Sequence, residues 1–215
     1  MSKVYLIPGL GADSRIYNNI VIENYELIKL KWIEPDKTDT LKSYAQKLIL
    51  QYNISPLSIL VGNSMGGMIA IEIAKILPAK KVILISSIRT IDEAPAYFSF
   101  FRTLPLYRLI PGKLMTSMGF AIRFTFGKMS EADNRLFIDM LKNTSPKFMK
   151  WAMYAILHWD NKIIPANVTV ITGDKDKVFD YSRISNPIII KGGTHIMIFD
   201  RADEINAILK DILSK

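Results

Sequence analysis

The sequence predicts an α/β protein, a six-stranded and mostly parallel sheet flanked by helices, and three observations carry that expectation. Short β-branched runs recur along the 215 residues with helical patterns between them. Several runs, such as Val82-Ile83-Leu84-Ile85, are apolar at every position, as strands covered on both faces are. Strand–helix alternation of this kind builds a parallel sheet, because each parallel neighbour needs a crossover.

The strands read as Lys3–Ile7, Glu26–Trp32, Ser58–Val61, Lys81–Ile85, Val168–Ile171 and Pro187–Ile190. Leu41, Tyr44, Leu48 and Leu50 mark a helix between the second and third strands, and Met68, Ile71, Ile73 and Ile76 mark one after the third. The last helix has the clearest stripe, Ile205, Ile208, Leu209, Ile212 and Leu213, with Asp200 as its expected cap and Asp203 completing the arrangement. Between Ser87 and Pro165 no convincing strand occurs, and a structureless loop of that length is rare. The segment reads as a helical insertion before the fifth strand. Leu106 to Phe126 is mostly apolar but broken at Pro111-Gly112 and Gly119; Ser130-Glu131-Ala132-Asp133 opens a helix, and Ser145-Pro146 opens another. The organisation expected is a core of residues 1–87 and 166–215 with residues 88–165 as the insertion.

Composition narrows the function classes. Apolar residues make up 49% and charged residues 22%, ordinary globular values. Cysteine is absent, which removes disulfides, a catalytic thiol, thiolate zinc sites and iron–sulfur clusters together. Lys plus Arg number 28 against 20 acids, a net charge of +8; scattered surface lysine produces the same excess as an anion-binding face. The insertion holds 13 of the 22 aromatics, 6 of the 10 methionines and a net charge of +5. Such residues pack short helices on a sheet and also line adaptable apolar pockets. The apolar start Val4-Tyr5-Leu6-Ile7 stops at Pro8-Gly9, too short for a signal peptide. The charge-free stretch Leu48–Ile71 is interrupted by Gln51, Asn53, Pro56, Asn63 and glycines, so it is not a membrane span.

Gly62-Asn63-Ser64-Met65-Gly66 fits G-x-S-x-G between an expected strand and an expected helix. A serine on such a turn is held in a strained conformation, which requires small neighbours, and the helix that follows directs its N-terminus at the hydroxyl. A serine needs a base. His195, in Lys191-Gly192-Gly193-Thr194-His195, follows the last strand and is the candidate; His158, among Ile156, Leu157 and Trp159, reads as a packing residue. A carboxylate should orient the base. Asp174, Asp176 and Asp180 after the fifth strand qualify on chemistry, with Asp92 an outside candidate. For an oxyanion, the backbone N–H groups of Met65, after the serine, and of Leu10, in the loop Pro8-Gly9-Leu10-Gly11, are the candidate donors. Asp13 is the expected cap of the next turn, and Arg15 reads as exposed.

With Ile7-Pro8-Gly9-Leu10-Gly11, Gly62-Asn63-Ser64-Met65-Gly66-Gly67, Gly173-Asp174-Lys175-Asp176 and Gly193-Thr194-His195 in that order, the sequence resembles the α/β-hydrolases over nearly its whole length. The order serine, acid, histidine is that family's. In it the acid stands three residues after the strand-end glycine, which selects Asp176. The insertion is similar in position to the family's cap, and Trp159-Asp160 also resembles family usage. The family's first two strands are missing, so six are expected; Pro8 replaces a frequent histidine and Asp180 a frequent proline. The resemblance implies a serine hydrolase acting through Ser64, Asp176 and His195 on a small, partly hydrophobic ester or thioester, with no metal or organic cofactor. Ser64 argues against epoxide hydrolases and haloalkane dehalogenases, which use aspartate there. A C–C hydrolase or lyase, a cofactor-free haloperoxidase, or a ligand-binding protein of the same fold are the alternatives. No nucleic-acid partner and no membrane span are expected, a cytoplasmic location is the default, and the oligomeric state is left open.

Overall fold

The structure, a computed structural model, describes residues 2–111 and 129–215. Six strands form one sheet: β1 (Lys3–Ile7), β2 (Glu26–Lys29), β3 (Ile59–Asn63), β4 (Lys81–Ile85), β5 (Val168–Gly173) and β6 (Ile188–Ile190). Their order is β2-β1-β3-β4-β5-β6 and every pair is parallel. The chain leaves β1 for β2 on one side and returns to β3 on the other. The carboxyl ends of β1 and β3 therefore flank a topological switch point, where a crevice opens in sheets of this type.

The all-apolar strands divide their side chains between two cores. Tyr5, Ile7, Leu60, Val82, Leu84 and Val170 enter one; Val4, Leu6, Ile59, Val61, Ile83, Ile85 and Ile171 enter the other. The first core is closed by α1 (Leu41–Tyr52) and α2 (Met65–Ile76), the second by the C-terminal helix Ala202–Ser214 through Ile205 and Leu209. Burial on both faces is what removed the period-two signal from the sequence. Leu50, which the sequence pattern placed on the stripe of α1, is instead 77% exposed.

β2 is shorter than expected. β1 offers no partner beyond Ile7, so the extended chain from Lys31 to Ile33 pairs with tyrosine hydroxyls on α1. Lys31 N–H donates to Tyr52 Oη at 2.7 Å and Ile33 N–H to Tyr44 Oη at 2.9 Å, and each hydroxyl donates back to the carbonyl of the same residue.

The described part of the insertion contains α3 (Tyr97–Thr103), α4 (Glu131–Asn143) and α5 (Pro146–Leu157), with no strand among the described residues. Ser130 caps α4 by accepting from Asp133 N–H, and Ser145 caps α5 with Pro146 in its first turn. Of the apolar stretch Leu106–Phe126, the part from Gly112 onward lies outside the described residues. Asn161 ties the two ends of the insertion together. Its side chain donates to the carbonyls of Arg89 and Ile163 and accepts from Lys75 Nζ at 2.7 Å, while its own carbonyl accepts from Ile91 N–H. Lys75 also pairs with buried Glu72, which accepts from Trp159 Nε1–H at 2.8 Å. The insertion is thus fastened to α2.

The expected cap of the last helix is corrected. Asp200 ends a short helix, α6 (Met197–Asp200), and α7 (Ala202–Ser214) starts behind Arg201 without a side-chain cap. The chain is already helical when it reaches Asp200, whereas a capping residue needs extended backbone. Asp203 and Glu204 still place negative charge in the first turn of α7. No helix among the described residues is long and apolar enough to cross a membrane.

The tightest constraint is at the end of β3. A Cβ on Gly62 would stand 2.3 Å from the Gly66 carbonyl oxygen, closer than atoms can pack. Gly62→Ala should therefore lower unfolding free energy by about 2 kcal/mol or more, read as a reduced urea midpoint; an unchanged midpoint would mean that β3 and α2 are not packed this closely.

Candidate active site

Strand β3 ends at Asn63 and helix α2 begins at Met65, so Ser64 alone turns the chain. Its φ of 51° and ψ of −120° fall outside the regions L-residues favour, a strain of about 1–3 kcal/mol. Hydrogen bonds hold it there. Ser64 N–H donates to the Ile85 carbonyl at 3.0 Å, and the Ser64 carbonyl accepts from Gly67 N–H at 2.9 Å and from Ser87 Oγ at 2.6 Å. A Cβ on Gly66 would meet the Ile7 and Pro8 carbonyls at 2.1 and 2.4 Å, so the turn also lies directly against the end of β1. Ser64 occupies the position that caps α2, yet its hydroxyl makes no capping bond. It faces His195 instead.

His195 sits in the loop between β6 and α6, and Asp176 in the loop after β5; both are buried. His195 Nδ1 is 2.9 Å from Asp176 Oδ2, and Nε2 is 3.0 Å from Ser64 Oγ. An ionised carboxylate can only accept, so Nδ1 carries the proton and Nε2 is left as the acceptor for the serine hydroxyl. The other Asp176 oxygen, Oδ1, accepts from Val178 N–H at 2.7 Å and Phe179 N–H at 3.0 Å. The carboxylate is therefore oriented on both sides.

The remaining candidates are separated from this cluster. Asp174 accepts from Gly192 N–H, Asp180 caps a turn at Ser182, and Asp92 is exposed in a turn after β4. His158 lies just past the end of α5, half-buried and stacked on Tyr154 with ring centroids 4.0 Å apart. Arg15 is occupied by Asp13 and Asp139, and Asp13 caps the turn Ser14–Tyr17 by accepting from Arg15 N–H.

The loop carrying Leu10 lies against the serine: a Cβ on Gly9 would stand 3.2 Å from Ser64 Cβ. Among the described residues, neither the Leu10 nor the Met65 backbone N–H is taken up by a hydrogen bond. Met65 is the first residue of α2, whose aligned peptide dipoles favour negative charge at that end. Over the same loop, the insertion presents Leu141 and Met149, which a Cβ on Gly11 would meet at 2.7 and 3.6 Å.

Ser87 went unnoticed in the sequence, and so did the ring of Phe179, whose centroid is 5.5 Å from that of His195. Ser86-Ser87 interrupts the apolar pattern at the carboxyl end of β4, and that is the signal which could have drawn attention to Ser87. Nothing in the sequence pairs Phe179 with His195.

A buried Ser–His–Asp arrangement at the switch point of a parallel sheet supports a serine-hydrolase mechanism. The chain belongs to the alpha/beta hydrolase family, whose model matches residues 4–208. Its fold is similar to that of a hydrolase from Pseudomonas aeruginosa PA01, with a TM-score of 0.82 and 13% identity over 100% of this chain and 90% of that one. It is also similar to an esterase from Exiguobacterium antarcticum, with a TM-score of 0.76, 16% identity and coverages of 100% and 92%. A bromoperoxidase from Bacillus anthracis gives 0.74, 19%, 100% and 92% for the same quantities. No curated protein matches the sequence at a significant level.

The two aspartates of the β5 loop make a direct test. Asp176→Asn should lower kcat on an activated ester by about a thousandfold or more, because an amide does not hold the imidazole in the tautomer that accepts the serine proton. Asp174→Asn keeps an oxygen acceptor for Gly192 N–H and should stay within about threefold of wild type. Equal losses in the two variants would remove Asp176 from the site.

Proposed function

We propose that this protein is a serine hydrolase that cleaves a carboxylic ester or thioester of a small, partly hydrophobic molecule through an acyl-enzyme. Ser64 Oγ attacks the carbonyl carbon as His195 Nε2 takes its proton, and Asp176 stabilises the imidazolium that forms. The oxyanion accepts hydrogen bonds from Leu10 N–H and Met65 N–H, at the positive end of α2. His195 then gives its proton to the departing alkoxide or thiolate. In the second half-reaction water attacks the acyl carbon, His195 takes the water proton and returns it to Ser64, and the acid leaves. The observation that carries this reading is one ring bonded at both ends, to Asp176 at 2.9 Å and to Ser64 at 3.0 Å.

The apolar side chains over the Leu10 loop support the substrate class. We take residues 88–165 as a cap whose apolar side chains, Leu141 and Met149 above Gly11 among them, line the acyl or alcohol side. The esterase among the structural relatives leans the same way.

A fluorophosphonate probe should label the wild-type protein and leave Ser64→Ala and His195→Ala unlabelled, as read by mass spectrometry of the intact chain. Persistent labelling of Ser64→Ala would move the nucleophile elsewhere. Across p-nitrophenyl esters, kcat/KM should rise as the acyl chain lengthens beyond acetate, by up to about fourfold for each methylene that becomes buried. A preference for acetate alone would contradict an apolar acyl pocket.

A further inference from the structure

The loop that carries Asp176 has little structure of its own: from Asp174 to Asp180 it contains neither helix nor strand. Its internal bonds fix only one carboxylate oxygen, through the N–H groups of Val178 and Phe179. The chain after β6 holds the start of the loop, where Lys175 N–H donates to the Gly193 carbonyl at 2.9 Å, and the leading segment of the insertion holds its end. Tyr97, in the first turn of α3, donates its hydroxyl to the Val178 carbonyl at 3.0 Å. The next residue, Phe98, is 4% exposed and packs on Phe179 with ring centroids 6.2 Å apart. Phe179 in turn meets His195 nearly edge-on, at 5.5 Å and 65°. Two flanking bonds seat the same segments on each other: Arg183 donates to the Ala94 carbonyl at 3.1 Å, and Arg89 to Ser185 Oγ at 3.2 Å.

Val178 is the point where these contacts converge. Its N–H is committed to Asp176 and its carbonyl to Tyr97, so a shift of α3 moves the residue that aims the carboxylate. We propose that Tyr97 and Phe98 are positioning residues for the proposed triad. They hold Val178 and Phe179, and through them Asp176, in the orientation that keeps the His195 ring aligned with Ser64. The inference rests on the serine-hydrolase reading and adds to it that the insertion takes part in setting the acid as well as in covering the substrate. Neither residue touches a reacting atom.

Tyr97→Phe removes one oxygen and leaves the ring packing in place, so the variant should fold. The rate constant for fluorophosphonate labelling of Ser64 is then measured in wild type, Tyr97→Phe, Asp176→Asn and the double variant. Tyr97→Phe should slow labelling by about three- to tenfold in the wild-type background, the usual worth of one such hydrogen bond. In the Asp176→Asn background the same change should cost less than about twofold, because the two residues act through one group. Equal losses in both backgrounds, or no loss in wild type, would overturn the proposal. Amide hydrogen exchange at Val178 and Phe179 supplies a readout independent of activity. Exchange should quicken in Tyr97→Phe, and unchanged protection at both amides would also overturn the proposal. A wild-type protein that resists the probe would instead contradict the serine-hydrolase reading itself, and the exchange measurement would then decide alone whether Tyr97 holds the loop.

Discussion

One backbone turn organises this molecule. Ser64 passes from a strand to a helix in a single residue, at a φ of 51°, and nothing larger than glycine fits at positions 62 and 66. That constraint brings the end of β1 against the start of α2, which places the Leu10 loop beside the serine. It also leaves the serine hydroxyl uncommitted to capping its own helix. A strained residue persists only where its surroundings over-determine it. Here the Ile85 carbonyl, the Gly67 N–H and the Ser87 hydroxyl do so, and two of those three groups belong to β4 or the residues just after it. The neighbouring strand is therefore part of the site although it contributes no reacting group.

The acid and base depend on the same sheet by a different route. β5 and β6 are neighbours, and their carboxyl ends carry the loops of Asp176 and His195. A Cβ on Gly173 would strike the Gly193 carbonyl oxygen at 2.0 Å, so the two loops are pressed together where they leave the sheet. The histidine is then confined between a carboxylate, a serine hydroxyl and the Phe179 ring. Confinement of this kind lowers the reorganisation needed when charge moves during a reaction. The insertion is fastened at its base by Asn161, Lys75, Glu72 and Trp159, all tied to the helix that follows Ser64.

Much of the fold was legible because buried parallel strands are short, β-branched and apolar, and all six runs correspond to strands. The discrepancies have physical causes. β2 ends early because tyrosine hydroxyls take over where β1 stops, and side chains from a distant helix leave no periodicity in the strand itself. α7 begins without the expected aspartate cap because a preceding helical turn occupies that stretch. At the site, Ser64 and His195 were nameable from their surroundings, since each follows an apolar run with a glycine two residues away, whereas only the family resemblance separated Asp176 from Asp174 and Asp180. Tyr97, Phe98, Phe179 and Ser87 were not. Their contacts join segments far apart in the chain, and aromatic residues in an insertion rich in them carry no mark of which one meets the acid loop.

Hydrolysis through an acyl-enzyme requires Ser64 to carry the acyl group during turnover. Rapid acid quenching during hydrolysis of a p-nitrophenyl ester, followed by digestion and peptide mass spectrometry, tests it without relying on an irreversible inhibitor. A transient acyl adduct should form on the peptide containing Ser64, in step with the first release of nitrophenol, and be lost as substrate is exhausted. Sustained turnover with Ser64 unmodified at every time point, or with the acyl group on another residue, would contradict it.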